Sequence, residues 1–104
     1  MRRLSSLERK QLRGLAHDLR PLLHVGKDGL SDAVVRQLDQ ALNAHELVKV
    51  KFLASDRDQK RAAGAAIEER LHCEIAGLIG HVAIVFRQHP EAAKRRVEIA
   101  EMVP

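Results

Sequence analysis

The chain has no tryptophan and no tyrosine, and its two aromatic residues are Phe52 and Phe86. Both fall at strand positions that should face a core. No exposed aromatic platform is left of the kind that stacks splayed nucleobases. Cysteine is equally scarce. The single Cys73 cannot form an internal disulfide and fits a reducing compartment. No apolar run approaches the roughly twenty residues needed to cross a bilayer. The start, MRRLSSLERK, has basic residues without an apolar stretch behind them, so it is not expected to act as a secretory signal. A soluble cytoplasmic protein is the expectation.

What is present is a mixed, highly charged sequence of 104 residues, long enough for one domain with a real core. The charge is unevenly spread. Arg2, Arg3, Arg9, Lys10, Arg13 and Arg20 stand against Glu8 and Asp18, so the first twenty residues carry the whole formal excess of +4. A basic end on a neutral body points to an anionic partner on one side of the molecule.

Periodicity sets the element order. Ser5 and Glu8 have capping-box spacing, and Leu7, Leu12, Leu15, Ala16 and Leu19 follow near helical period. Lys10 and Arg13 lie mainly off that stripe, and Pro21 closes the helix by residue 20. Residues 22–25 read as a short strand, and 30–44 as a second helix capped by Ser31 or Asp32. Its apolar face is Val34, Val35, Leu38, Ala41 and Leu42. In HELVKVKFL, residues 45–53, Val48, Val50 and Phe52 alternate with Lys49, Lys51 and Leu53, a strand with one largely polar face.

SDRD then offers acidic caps for a third helix over 59–71. Ala62, Ala63, Ala66, Ile67 and Leu71 could approach a sheet closely, although Gly64 weakens the helix. Residues 73–88 read as two strands turned at Gly80–His81. Cys73, Ile75, Gly77 and Ile79 share one face, and Val82, Ile84 and Phe86 likewise. Two strand-to-helix units favour parallel pairing, and the last two strands favour a hairpin. The fold class is therefore α/β: a compact helix-strand-helix-strand-helix-strand-strand domain with a small mixed sheet. Residues 1–88 form the domain. Residues 89–104 are a tail whose form is open between helix, edge strand and loose end.

The chemistry centres on Gly26-Lys27-Asp28-Gly29. Glycine admits positive φ and leaves the backbone uncovered. Two of them around a turn, ahead of a helix N-terminus, would let an anion reach backbone amides. Lys27 can neutralise a phosphate, and Asp28 works against it. By itself this spacing also describes a plain turn. Lys49 and Lys51 on one strand face could add phosphate contacts, which position a ligand without reading its sequence. They could equally be a solvated sheet face. Arg87, of opposite parity to Phe86, could supply a guanidinium.

Other chemistry finds little support. The loop lacks the spacing and the Lys-Ser/Thr ending of a P-loop. Gly77-Leu78-Ile79-Gly80 repeats the glycine spacing with an apolar middle and reads as packing plus turn. His72, Cys73 and His81 lack zinc spacing. His17, His24 and His45 are isolated, and Cys73 has no evident base or oxyanion site. Glu68 and Glu69 read as a solvated helix face.

The stretches LRGLAHDLRPLLHVGKDGLSDAVVRQLDQALNAHELVKVKF, DRDQK and IGHVAIVFR together resemble the CRM (chloroplast RNA splicing and ribosome maturation) family, in its single-domain bacterial YhbY type, over residues 4–88. The resemblance implies a four-stranded mixed sheet similar to the C-terminal domain of bacterial translation initiation factor 3. It implies a KH-like Gly-x-x-Gly loop that contacts RNA, matched here by Gly26 and Gly29. It also implies association with large-subunit (pre-50S) precursors, no catalysis and no cofactor or metal. Two departures stand out: the acidic Asp28 lowers the loop's local potential, and the tail from residue 89, with Lys94, Arg95 and Arg96, has no clear counterpart.

The expectation is a non-catalytic, monomeric RNA-binding protein of ribosome biogenesis. Its partner is ribosomal RNA or a large-subunit precursor, with ribosomal proteins as further partners and no membrane. The contact set is Gly26, Lys27, Asp28 and Gly29 in the loop, Lys10, Arg13 and Arg20 from the first helix, and Lys49, Lys51 and Arg87 from the strands. The rivals are a protein-interaction module of a ribonucleoprotein complex and a small enzyme. The latter would need convergent titratable groups that the sequence does not offer.

Overall fold

The computed structural model describes residues 3–26, 29–53 and 56–97. Three helices are set by their caps. In α1 (Ser6–Ala16) the Ser5 hydroxyl accepts from the Glu8 amide and the Glu8 carboxylate accepts from the Ser5 amide, the reciprocal capping box. In α2 (Asp32–His45) the Ser31 hydroxyl accepts from the Val34 amide. In α3 (Arg57–Leu71) Asp56 and Gln59 form a second capping box at 2.8 and 2.9 Å, so this helix begins two residues before the expected position.

The strands are β1 (Pro21–Val25), β2 (Leu47–Phe52), β3 (Glu74–Ile79) and β4 (Val82–Phe86), in the order β1-β2-β4-β3. β1 and β2 pair in parallel, as expected of a strand-helix-strand unit. The second unit differs from expectation. β3 does not pair with β2, because β4 lies between them and is antiparallel to both. Composition explains this. VAIVF is the most apolar strand and has core on both faces, whereas β3 carries Glu74, Gly77 and the exposed Leu78 and Ile79, which suit an edge. The two-residue hairpin turn has Gly80 at φ +60°.

The sheet separates two cores. On one face α2 and α3 cover Val25, Val48, Val50, Phe52, Ala83 and Val85, with Leu38, Leu42 and Ile67 supplied by the helices. On the other, α1 lays Leu12 and Ala16 on Leu47, Ala76, Ile84 and Phe86. The two phenylalanines are both buried, on opposite faces.

Three details correct the pattern reading. First, α1 buries Glu8, Leu12 and Ala16, one residue per turn, and leaves Leu7, Leu15 and Leu19 exposed. The capping bond turns Glu8 inward, and a lone helix on a sheet buries a narrow stripe. The helix also stops at Ala16, short of Pro21. Secondly, the second face of β2 is not simply polar, since Leu47 is buried under α1 and Lys49 is half-buried beside it. Thirdly, a bulge between Ile75 and Gly77 breaks the alternation in β3. Ile75 packs with the α2–α3 core, while Gly77 lies under the Arg13 side chain of α1. In α3, Ala62 is exposed and Gly64 takes its place in the buried stripe with Ile67 and Leu71.

Residues 89–97 lie against the domain, while 98–104 fall outside the described residues. A 3-10 turn spans Ala92–Lys94, and Val97 packs on the α1-side core. Glu46, buried and at φ 64°, organises this segment. Its carboxylate accepts from the backbone amides of His89 at 2.7 Å and Val97 at 2.8 Å, and also from that of Arg96. Its carbonyl accepts from the Arg87 amide at 2.9 Å.

Two measurements check this packing. Among the described residues a Cβ added at Gly64 meets only Ile75 Cγ1, at 3.7 Å. Gly64→Ala is therefore expected to raise urea-unfolding stability by roughly 0.5–1 kcal/mol through helix propensity; a loss of stability would show that α3 sits closer than described. Burial pushes the Cys73 thiol up to about 12 from 9.0. The thiol is thus neutral in the fold at pH 8, and native protein is expected to resist thiol alkylation that unfolded protein undergoes readily. Above pH 9 the unfolded chain ionises first, so the stability due to the buried thiol is lost as pH rises from 9 towards 12. A Cys73→Ala variant should show a flatter alkaline limb in denaturation curves.

Candidate nucleic-acid interface

The loop after β1 is a tight turn. The Gly29 amide donates to the Gly26 carbonyl at 3.0 Å, and the Ser31 amide donates to the Gly29 carbonyl at 3.1 Å. The two glycines do different work. Gly29 has φ +71°, a conformation that disfavours a side chain. Gly26 has no such requirement, and a Cβ on either would meet nothing of the described residues within 4 Å. The open space beside Gly26 therefore leaves backbone reachable from outside. Lys27 and Asp28 lie outside the described residues.

The loop sits at the end of the sheet where β1 and β2 finish, since Val25 pairs with Phe52. The Leu53 amide donates to the Val25 carbonyl there, and the Phe52 amide donates to that of His81 in the hairpin turn. Below the loop a row of paired residues crosses all four strands. His24 is opposite Lys51, Lys51 is opposite Val82, and Val82 is opposite Ile79. The row lies on the α1 side of the sheet, and α1 does not cover it. His24, Lys51 and Ile79 are exposed and Val82 is half-buried.

The next row is partly roofed. Lys49 donates to the carbonyls of His17 at 3.1 Å and Leu19 at 2.9 Å, holding the chain that leaves α1. An ammonium has three donors, so one remains. Arg13 donates to the Ala76 carbonyl at 3.0 Å, and its stem lies so close over β3 that a Cβ at Gly77 would come within 2.7 Å of Arg13 Cδ. Arg13 and Lys49 are thus brought together, with Lys51 alongside, and each also ties α1 to its surroundings.

The remaining residues chosen from sequence are dispersed. Lys10 is exposed on α1. Arg20 is exposed at the far end of the sheet, beside an apolar groove of about 730 Å³ that includes Leu15, Leu19 and Leu22. Arg87 is at that same far end, because Phe86 pairs with Leu47, the first residue of β2. Its guanidinium pairs with the Asp39 carboxylate at 2.8 Å and donates to the Leu71 carbonyl at 3.0 Å and Asn43 Oδ1 at 2.9 Å. It pins α2 to α3, away from the loop.

Sequence reasoning set His24 aside as isolated, although its position two residues before Gly26 puts it beside the loop. It also passed over Lys60, whose ammonium donates to the Gly80 carbonyl at 2.7 Å and brings positive charge to the hairpin turn at the loop end. His72 and Cys73 precede β3 and His81 follows it, so the strand separates them by about 20 Å. Among the described residues no group of three or more His, Cys, Asp or Glu could hold a metal ion, and no helix is long and apolar enough to cross a membrane.

The model of the CRS1 / YhbY (CRM) domain family matches residues 4–87, from the segment before α1 to the end of β4. The chain belongs to the CRM family. This CRM domain is 34% identical over 97 residues to "Probable RNA-binding protein PA4753" of Pseudomonas aeruginosa, covering 93% of each chain. It is 37% identical over 92 residues to a Haemophilus influenzae protein named "RNA-binding protein", covering 88% of this chain and 93% of that one. The solution structure of SAV1595 from Staphylococcus aureus superposes with a TM-score of 0.79 at 27% identity, covering 92% of this chain and all of the other. The α/β architecture with a four-stranded mixed sheet is the family's fold.

The two glycines should separate on substitution. Gly29→Ala is expected to cost roughly 1–2 kcal/mol through its positive φ. Gly26→Ala should leave the unfolding midpoint unchanged. Equal losses in thermal or urea unfolding would show that Gly26 serves the turn rather than its surroundings.

Proposed function

We propose that this CRM-domain protein binds RNA without catalysing a reaction, and that the RNA is ribosomal RNA or a precursor of the large ribosomal subunit. The observation that carries the reading is the exposed Gly26 after β1, near Lys51 at the end of an uncovered strip of sheet. Its relatives from P. aeruginosa, H. influenzae and Bacillus subtilis carry RNA-binding names, which supports the same class of ligand. In this reading the protein acts in the cytoplasm as a monomer. It stabilises a folded RNA state during subunit assembly by contacting phosphates through Lys27, Lys51 and the backbone amides at the start of α2.

The apolar groove at Leu15, Leu19 and Leu22 favours a second reading, a protein-interaction module, since large aliphatic side chains are exposed there. Binding of purified protein to ribosomal RNA fragments across a salt series separates the two, with duplex DNA and unrelated RNA alongside. Selective affinity for one ribosomal region is expected, falling steeply with salt. Lys27→Ala with Lys51→Ala should weaken it and lower the salt slope by about 2. Unchanged affinity in that double variant would remove the proposed surface. Absence of binding at low salt would favour the protein partner.

A further inference from the structure

The uncovered row His24–Lys51–Val82–Ile79 changes character along its length. It is polar and basic on β1 and β2, next to the glycine turn, and aliphatic on β4 and β3. Ile79 is 62% exposed, although it sits on a sheet face rather than in a loop. Behind it the sheet and α1 enclose a groove of about 310 Å³ with Ile79, Val82, Ile84 and Pro21 as apolar surface and Arg13, His17 and Lys49 around them. Among the described residues no carboxylate lines it. An apolar floor within a cationic frame suits a flat, weakly polar group attached to an anionic backbone.

Resting on the RNA reading above, we propose that this groove receives an unpaired nucleobase, laid on Ile79 and Val82, while the adjoining phosphates are held at Lys51 and the exposed Gly26 backbone. The charge of the frame complements RNA, and the row leads to the turn without a break: Lys51 pairs both with Val82 and with His24, which lies two residues before Gly26. The surface carries no aromatic ring, so the base is held by aliphatic contact and exclusion of water. Among the described residues Arg13 and Lys49 keep free donors for the base edge or the ribose, since each spends only part of its hydrogen-bonding capacity on backbone carbonyls. The site selects unpaired over paired nucleotides, because a base inside a duplex cannot reach the floor.

Affinity for a single-stranded RNA of about twelve nucleotides can be compared with that for the same strand carrying abasic residues, which keeps every phosphate. Wild-type protein is expected to prefer the base-bearing strand by about tenfold, the scale of burying part of a base on aliphatic surface. Ile79→Ser should abolish that preference and leave abasic-strand affinity unchanged. The exposed position lets the variant fold, and its unfolding midpoint checks this. In labelled wild-type protein the Ile79 and Val82 methyl resonances should move with the base-bearing strand and stay still with the abasic one. Equal affinity for both strands, or a preference that survives Ile79→Ser, overturns the inference while leaving RNA binding intact. Absence of binding to either strand and to ribosomal fragments overturns the RNA reading as well.

Discussion

Two helices share one face of the sheet, and the other face has α1 alone. Eleven residues of helix are about 16 Å long. Four strands of five or six residues make a surface wider than one such helix can cover. That mismatch governs much of the molecule. It decides that only Leu12, Ala16 and the capping residue Glu8 are buried along α1. It requires Lys49 and Arg13 to fasten the helix to the strands beneath it. It also leaves the last row of the sheet bare, beside the glycine turn.

Much of the fold is legible in the sequence because its signals are local. The capping box at Ser5–Glu8 marks a helix start through bonds that span three residues, and the acidic SDRD marks the neighbourhood of the next start without fixing it. The alternation of Val48, Val50 and Phe52 fixes which side of β2 meets α2 and α3. The features that escape such reading depend on groups distant in sequence. Nothing near Cys73–Ile79 announces that the hairpin will turn inward and place β4 between β2 and β3; the apolar composition of VAIVF is the one hint. The bulge in β3 is equally silent, and the Gly77 it displaces lies under Arg13, distant in sequence. The buried carboxylate of Glu46 looks like an ordinary surface charge until the segment some fifty residues later is folded onto it.

The candidate site divides along the same line. The glycine turn can be found from spacing alone, because positive φ at Gly29 is a backbone requirement that sequence displays. The basic residues cannot be sorted that way. Lys51 and Lys49 are two apart on one strand, yet one is exposed and the other reaches the carbonyls that follow α1. Arg87 reads as a strand cation and turns out to join α2 to α3 at the far end. Charge counts show that an anionic partner fits this protein, but only tertiary structure shows which cations already have work within the fold.

The Glu46 clasp has a further consequence. It holds residues 89–97 through the amides of His89, Arg96 and Val97, groups that nearly every residue type supplies. Attachment of this segment to Glu46 therefore rests on its backbone, while Val97 adds packing and the Arg95 guanidinium donates to the His89 carbonyl at 2.9 Å. Lys94 and Arg96 can change identity without loss of the amide contacts to Glu46, and proline at an amide that reaches Glu46 is the change the clasp cannot absorb. One carboxylate thus sets the route of a segment mainly through groups that most sequences supply.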